Sequence, residues 1–182
     1  WAGYGIRVNA IAPGTVETAS RAEILADPKV KEAMLNRVPL HRFATPAQAA
    51  QWLHPLMQGT MRSAFAMSEP DVASSDPTNL QTRAVPQGDS WVVNGRKWFT
   101  TGAAHPDCKL LIVMCRSGDD AADKHAQHSM LLVPLDTPGV TVVRNIPIMQ
   151  HHSPEGHCEI TFRDVHLPLD QLLGKLGEGF AM

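Results

Sequence analysis

The chain is poor in several features that mark particular classes of protein. Its 182 residues hold three cysteines, Cys108, Cys115 and Cys158, with no CxxC spacing. This argues against a disulfide framework or a zinc site and indicates buried reduced thiols. Basic and acidic side chains nearly balance, 16 against 18, so no basic face suggests nucleic acid. No apolar run approaches the roughly 18–20 residues of a membrane span. We therefore expect a cytoplasmic globular protein with no nucleic-acid partner and no membrane span.

The chain also lacks the usual features of a protein start. It opens Trp1-Ala2-Gly3-Tyr4-Gly5, with no initiator Met, no basic n-region and no apolar h-region. We expect a fragment or a fusion, with one domain or two small ones as the length suggests.

The first 60 residues show a mixed α/β pattern. An apolar run over residues 6–11 predicts a strand that ends at Pro13-Gly14. Asp27-Pro28 predicts the start of a helix over about 28–37, because Asp can cap and Pro suits the first helical position. Thr45 and Gln48 have capping-box spacing and predict a second helix, from 46 to about 53, where Pro55 disturbs it.

After Gly59 the pattern becomes one of short strands separated by turns. Gly88 and the Asn94-Gly95 pair are predicted to form hairpin turns. This spacing predicts an antiparallel sandwich or barrel. The predicted strands cover residues 62–67, 80–85, 90–94, 96–100, 110–115, 129–134, 140–144 and 157–162.

One small-residue loop could carry chemistry. Residues 65–76 read Phe-Ala-Met-Ser-Glu-Pro-Asp-Val-Ala-Ser-Ser-Asp. The hydroxyls of Ser68, Ser74 and Ser75 stand beside backbone amides, a composition that can hydrogen-bond an isoalloxazine edge or a pyrophosphate. The alternative is an ordinary turn around Ser-Glu-Pro-Asp, which the residues alone favour because such loops are common.

A resemblance to a known family favours the cofactor-binding interpretation of this loop over an ordinary turn. Residues 65–76, the 94–103 stretch Asn-Gly-Arg-Lys-Trp-Phe-Thr-Thr-Gly-Ala, and the 156–168 stretch from Gly156 to Pro168 occur in the order found in acyl-CoA dehydrogenases. From about residue 51 to 182 the chain resembles that family's middle domain, an antiparallel β-barrel, here after a short mixed α/β segment. The resemblance implies α,β-dehydrogenation of a fatty acyl-CoA thioester with hydride transfer to FAD.

The resemblance also implies roles for particular residues. Phe99 stands where many members have Trp, and His166 stands where Arg is common, so an ionic role there is in doubt. The family's general base belongs to a C-terminal helical domain, so no catalytic residue is assigned, and Glu69 and Glu159 lie inside barrel motifs. Ser75 is also implied to contact acyl-CoA. The residues implied to bind FAD are Phe65, Met67, Ser68, Ser74, Ser75, Phe99, Thr100 and Thr101.

The start of the chain is similar to a different family. Residues 4–18 and the 39–46 stretch Pro-Leu-His-Arg-Phe-Ala-Thr-Pro resemble the late part of a short-chain dehydrogenase/reductase. The Gly-rich phosphate loop and the Tyr-x-x-x-Lys pair are lacking, since Tyr4 is followed four residues later by Val8. Reductase activity is therefore not expected.

These resemblances divide the chain into four parts: 1–48, a reductase-like fragment; 49–60, a connecting helix; 61–176, the FAD- and acyl-CoA-contacting β-domain; and 177–182, the start of a truncated helical domain. The fragment is expected to be inactive alone. The full enzyme is implied to be a homo-oligomer that passes electrons to an electron-transfer flavoprotein. The alternatives are a fusion or truncation product that binds no flavin and a remnant of an NAD(P)-dependent reductase.

No metal site is predicted. His151, His152 and His157, with Glu155 and Cys158, could suggest one, but their spacing fits no common zinc pattern. A solvated loop that enters a strand is the favoured interpretation.

Overall fold

The computed structural model describes residues 22–35, 46, 49–74, 76–118 and 123–180. The chain divides into two compact units, residues 1–61 and 62–182. The strand predicted over residues 6–11 and the Pro13-Gly14 turn lie outside the described residues.

The first unit is helical where it is described. Helices α1 (Ala22–Leu25) and α2 (Pro28–Leu35) are separated by a turn. Helix α2 begins where the sequence predicts, and the Asp27 carboxylate accepts a hydrogen bond from the Lys29 amide at 2.9 Å.

The second predicted helix is two elements rather than one. A π-helix spans Ala49–Leu53 and continues into α3 (His54–Gln58), which ends at Gly59 with φ of 69°. Pro55 lies in the first turn of α3, where its missing N–H costs no helical hydrogen bond. Among the described residues, no helix is both long enough and apolar enough to cross a membrane.

The second unit is built on one eight-stranded sheet. Its order is β6-β7-β3-β2-β4-β5-β8, and β1 also pairs with β4. The strands are β1 (Arg62–Ala66), β2 (Arg83–Gln87), β3 (Ser90–Thr101), β4 (Cys108–Arg116), β5 (His128–Pro134), β6 (Val140–Asn145), β7 (His157–Pro168) and β8 (Leu172–Leu173).

The prediction of a closed antiparallel barrel is wrong, because this sheet is open and mixed. Strand β1 runs parallel to β4 over five residue pairs, and β2 meets β4 in parallel only at Arg83 and Arg116. Closure would require an unbroken ladder of strand pairs around the whole sheet. Within the described part of the chain, β6 instead pairs only with β7, and the short β8 pairs only with β5, which leaves two ends.

One predicted hairpin turn is confirmed and the other is wrong. Gly88 and Asp89 join β2 to β3, with Gln87 opposite Ser90. Gly95 instead lies inside β3, so the two strands predicted at 90–94 and 96–100 are one continuous strand. The pairing of β3 with β7 shifts register there, and the Asn94 side chain bonds Asp164 across the shift. An Asn-Gly pair therefore marks an irregularity in a long strand.

The core of this unit lies on one face of the sheet. Alternate residues of the long strands are buried there, including Val93, Val113, Val133 and Ile160. All three cysteines are buried free thiols, as the sequence predicts. Burial raises the pKa of Cys115 to about 12, so this thiol stays protonated and unreactive.

Candidate functional site

The candidate site forms where β1 and its following loop meet the end of β3. The amide of Trp98 donates a hydrogen bond to the Ser68 carbonyl at 3.0 Å. This bond brings residues 65–68 beside residues 98–101, the two segments that the sequence analysis singled out. Phe65 is 44% exposed between buried Ala64 and Ala66, because strand side chains alternate between faces.

A bulge in β3 exposes a second aromatic ring at the site, that of Phe99, in addition to that of Phe65. Lys97 pairs with Ile160 and Thr100 pairs with Cys158, so two residues of β3 oppose one of β7. Phe99, inside this bulge, has φ of 49° and is 42% exposed. Its ring centroid lies 4.8 Å from that of Trp98. A non-glycine residue at positive φ is strained, and such strain is frequent at functional sites.

The hydroxyl groups of the site differ in their surroundings. Ser68 is half-buried, and its side chain makes no hydrogen bond within the described part of the chain. Thr101 is exposed, and its Oγ1 lies 2.9 Å from Nδ1 of His157. Thr100 is fully buried, and its hydroxyl has no partner among the described residues. The Thr100 side chain therefore does not share the exposed face with Phe99 and Thr101.

The loop after Ser68 is held by a buried ion pair that sequence reasoning did not predict. The Nζ atom of Lys97 lies 2.8 Å from the Glu69 carboxylate and also donates to the Met67 carbonyl at 2.8 Å. The amides of Gln81 and Thr82 donate to the same carboxylate at 2.7 and 2.9 Å. A lysine at an inward position of an alternating strand was the only available signal of this pair.

Burial affects the pKa values of both members of this pair. Desolvation lowers the pKa of Lys97, which the Glu69 charge partly opposes. Desolvation also acts to raise the pKa of Glu69, but the Lys97 charge and the hydrogen bonds outweigh it, so that pKa is lowered. The two groups meet in a hydrogen bond from Lys97 Nζ to the Glu69 carboxylate at 2.8 Å. The pair fixes the Met67 carbonyl beside the candidate site.

The predicted serines of the loop have different positions. Ser74 Oγ accepts from the Glu69 amide at 2.8 Å and donates to the Glu69 carbonyl at 3.1 Å. Ser74 thus closes the 69–74 loop on itself, and a contact between its hydroxyl and a cofactor stays a prediction. Ser75 lies outside the described residues. Met67 is half-buried, and its carbonyl is the group fixed by Lys97.

A cavity of about 630 Å³ lies beside the same loop. Two cationic side chains, Arg116 and Lys124, line it together with small and polar groups. The other lining residues are Val72, Ala73, Thr78, Asn79, Gln81 and Gln127. Such a mixture suits a ligand with both apolar and negatively charged parts.

A second charged cluster lies further along the sheet. The Glu159 carboxylate is 2.6 Å from Nη2 of Arg96 and 2.7 Å from Nε of Arg144. The hydrogen bond from Arg144, supported by Arg96, lowers the pKa of Glu159 below its ordinary value of 4.5. Two arginines therefore hold the Glu159 carboxylate at this position. Across the described residues, no three His, Cys, Asp or Glu side chains come together as a metal site.

These features define a class of site. Two exposed aromatic rings beside hydroxyl groups suit a flat heteroaromatic cofactor, which needs apolar contact on its face and hydrogen bonds at its edge. A model of the acyl-CoA dehydrogenase middle domain matches residues 64–165. The chain belongs to the acyl-CoA dehydrogenase family.

Individual relatives agree with this assignment. "Probable acyl-CoA dehydrogenase FadE2" of Mycobacterium tuberculosis is 54% identical over 143 residues, which are 79% of this chain and 35% of that protein. A solved structure from Mycobacterium abscessus, provisionally assigned as an acyl-CoA dehydrogenase, is 50% identical with a TM-score of 0.73, covering 80% of this chain and 36% of that one. The chain therefore spans about a third of the length of these relatives.

A more distant structure has a named substrate. Butyryl-CoA dehydrogenase of Megasphaera elsdenii is 28% identical with a TM-score of 0.66, covering 84% of this chain and 38% of that one. The start of the chain matches a different model, that of enoyl-(acyl carrier protein) reductase, over residues 1–63. Both predicted resemblances are confirmed, and the two models meet at residues 63 and 64.

Proposed function

We propose that residues 61–176 form the FAD- and acyl-CoA-contacting part of an acyl-CoA dehydrogenase. The observation that carries this proposal is the placement of exposed Phe65 and Phe99 beside the hydroxyls of Ser68 and Thr101. When bound, FAD would supply the hydride-accepting chemistry.

The residues present fit the flavin in three respects. Phe65 and Phe99 offer ring faces for stacking, although Phe lacks the indole N–H that a Trp would donate. Ser68 offers a hydroxyl that no described residue engages, and Thr101 offers a second. The bulge in β3 holds Phe99 in an unfavourable backbone conformation that exposes its ring. Pre-set geometry of this kind lowers the entropy cost of binding.

For the substrate we propose a fatty acyl-CoA thioester. The cavity beside the 69–74 loop carries Arg116 and Lys124, whose charges suit the phosphates of coenzyme A. Apolar Val72 and Ala73 line the same cavity. Ser75 follows this loop in the chain and keeps its proposed contact with the acyl-CoA arm. Within the whole protein, transfer to an electron-transfer flavoprotein, homo-oligomer formation and a cytoplasmic location are part of the same proposal.

Two alternatives lead to different observations. A sheet that folds but binds no flavin would make the chain a non-catalytic module. Retention of NAD(P)H binding by residues 1–48 would favour the reductase remnant, and the missing phosphate loop argues against it. FAD and NADPH titrations on the same sample separate these cases.

The test is titration of the 182-residue chain with FAD, followed by flavin fluorescence, together with the Ser68→Ala variant. We expect saturable binding by the unchanged chain. The variant should bind about three- to tenfold more weakly, because one hydrogen bond contributes roughly 0.5–1.5 kcal/mol. Circular dichroism of both proteins should be the same. Equal FAD affinity of the two folded proteins would remove the role assigned to Ser68.

A further inference from the structure

The hydrogen bond between Thr101 and His157 connects the candidate flavin site to a residue to which the sequence analysis gave no role there. Thr101 Oγ1 lies 2.9 Å from Nδ1 of His157. The other acceptor near this hydroxyl, the Phe99 carbonyl, is 3.5 Å away and at the limit of a hydrogen bond. His157 is therefore the main partner of the Thr101 hydroxyl.

Three strands hold His157 in place. Thr101 and His157 are directly paired across β3 and β7. The His157 amide donates to the Asn145 side chain at 2.9 Å, and its carbonyl accepts from the Ile146 amide at 3.0 Å. Gly156, which precedes it, has φ of 77°, and a Cβ there would lie 2.5 Å from the Ala104 Cβ. The backbone beneath the imidazole is therefore fixed.

The His157 imidazole restricts the rotation of the Thr101 hydroxyl, which would otherwise turn freely. A threonine hydroxyl has one donor and two acceptor sites and turns to suit its neighbours. Nδ1 of His157 occupies one of these hydrogen-bonding sites. The remaining sites of the Thr101 hydroxyl therefore point in defined directions on an exposed surface. Partners that orient a contacting group in this way affect affinity without touching the ligand.

We infer that His157 is a positioning residue for FAD, which acts by orienting the Thr101 hydroxyl. This inference rests on the proposed flavin site. His151 and His152 lie in a separate exposed segment before β7. The imidazole therefore has a function that its histidine neighbours in the sequence do not share.

The test is a double-mutant cycle of FAD affinity on the full chain. We expect His157→Phe and Thr101→Val each to raise the Kd about three- to tenfold, with a shifted flavin absorption spectrum, since each removes the same hydrogen bond. The double variant should bind no more weakly than Thr101→Val alone. His157→Asn can place a hydrogen-bonding atom near the position of Nδ1 and should stay within about twofold of the unchanged chain.

The control is His152→Phe, which makes the same substitution at an exposed histidine outside the site and should leave FAD affinity unchanged. Additive losses in the double variant, or no rescue by His157→Asn in a folded protein, would overturn the inference while the proposed function stands. Failure of the unchanged chain to bind FAD would overturn the proposed function and this inference with it.

Discussion

At the residue scale, Glu69 and Lys97 form an ion pair in which both side chains are buried. Lys97 is fully buried, and Glu69 is 3% exposed. Each ion is satisfied by the other and by backbone groups of the candidate site. Removal of one partner leaves the other charged group buried without compensation, which costs far more than loss of a surface ion pair.

We therefore expect Lys97→Met to lower the free energy of unfolding by about 3–5 kcal/mol. The matched control is Lys109→Met. Lys109 is exposed, and within the described residues its side chain donates only to the nearby Pro106 carbonyl, so its loss should change stability by less than about 0.5 kcal/mol. Urea denaturation followed by circular dichroism measures both changes. Similar small effects at the two positions would contradict the account of the buried pair.

The Glu159 cluster predicts how stability depends on pH. Its folded pKa lies below 4.5 because Arg144 and Arg96 stabilise the carboxylate. A depressed carboxyl pKa contributes stability that is present above the unfolded pKa and is lost as pH falls through the folded one. Glu159→Gln should therefore destabilise the protein at pH 7 and reduce the further loss of stability below pH 4.5. Parallel acid-unfolding curves for variant and unchanged chain would disprove this.

Some of these residues were predictable from the sequence and others were not. Phe65, Phe99 and Thr101 were named through a resemblance, and the structure places all three on exposed positions. The role of Lys97 was not predictable from the sequence, because a charged residue in an alternating strand is ordinarily assigned to the solvent face. His157 was considered only for a metal, since its partner Thr101 lies 56 residues away in the chain and meets it only after β3 and β7 pair.

At the element scale, β3 organises the candidate site. It is twelve residues long and carries two irregularities, one at Gly95 and one at Phe99. The first marks a close approach of the backbone to Thr82, and the second turns Phe99 outward. Most strands were located because their apolar alternation is local, although β2 begins at Arg83 rather than at residue 80, β7 continues to Pro168, and β8 was not predicted. The bulges were not, because they depend on register with β7.

Gly95 offers a test of that close approach. A Cβ at this position would lie 2.7 Å from the Thr82 Cα, so Gly95→Ala should destabilise the protein by about 3 kcal/mol through overpacking. The matched control is Gly88→Ala in the β2–β3 turn. Its φ is 63° with no atom within 4 Å of the added methyl, so only the backbone cost of about 1 kcal/mol is expected.

Thermal denaturation of the two alanine variants compares these costs directly. A smaller loss for Gly95→Ala than for Gly88→Ala would mean that the strand yields easily around Thr82, and that this part of β3 is not fixed by close packing.

At the scale of the whole molecule, the chain joins segments of two families. The reductase model covers residues 1–63 and the dehydrogenase middle-domain model covers 64–165, close to the division between the two compact units at 61 and 62. The sequence predicted that the two resemblances meet near residue 50, and the similarity to the Mycobacterium tuberculosis relative covers 143 of the 182 residues, so it extends into the stretch that the reductase model also covers. A helix can satisfy the pattern of either family, so its residues do not define the junction.

Sheet closure was the largest error at this scale. Strand number and spacing indicated a barrel, but closure depends on which strands pair, and a parallel partner such as β1 beside β4 leaves no local trace in the sequence. The candidate site does not depend on closure of the sheet, because it forms where β1 and its following loop meet the end of β3.

The most direct measurement is titration of the purified 182-residue chain with FAD by fluorescence, with circular dichroism on the same sample. We expect saturable binding by a β-rich protein, in which the exposed rings and hydroxyls of the β1–β3 junction hold the flavin. A folded, β-rich chain that does not bind FAD would contradict it.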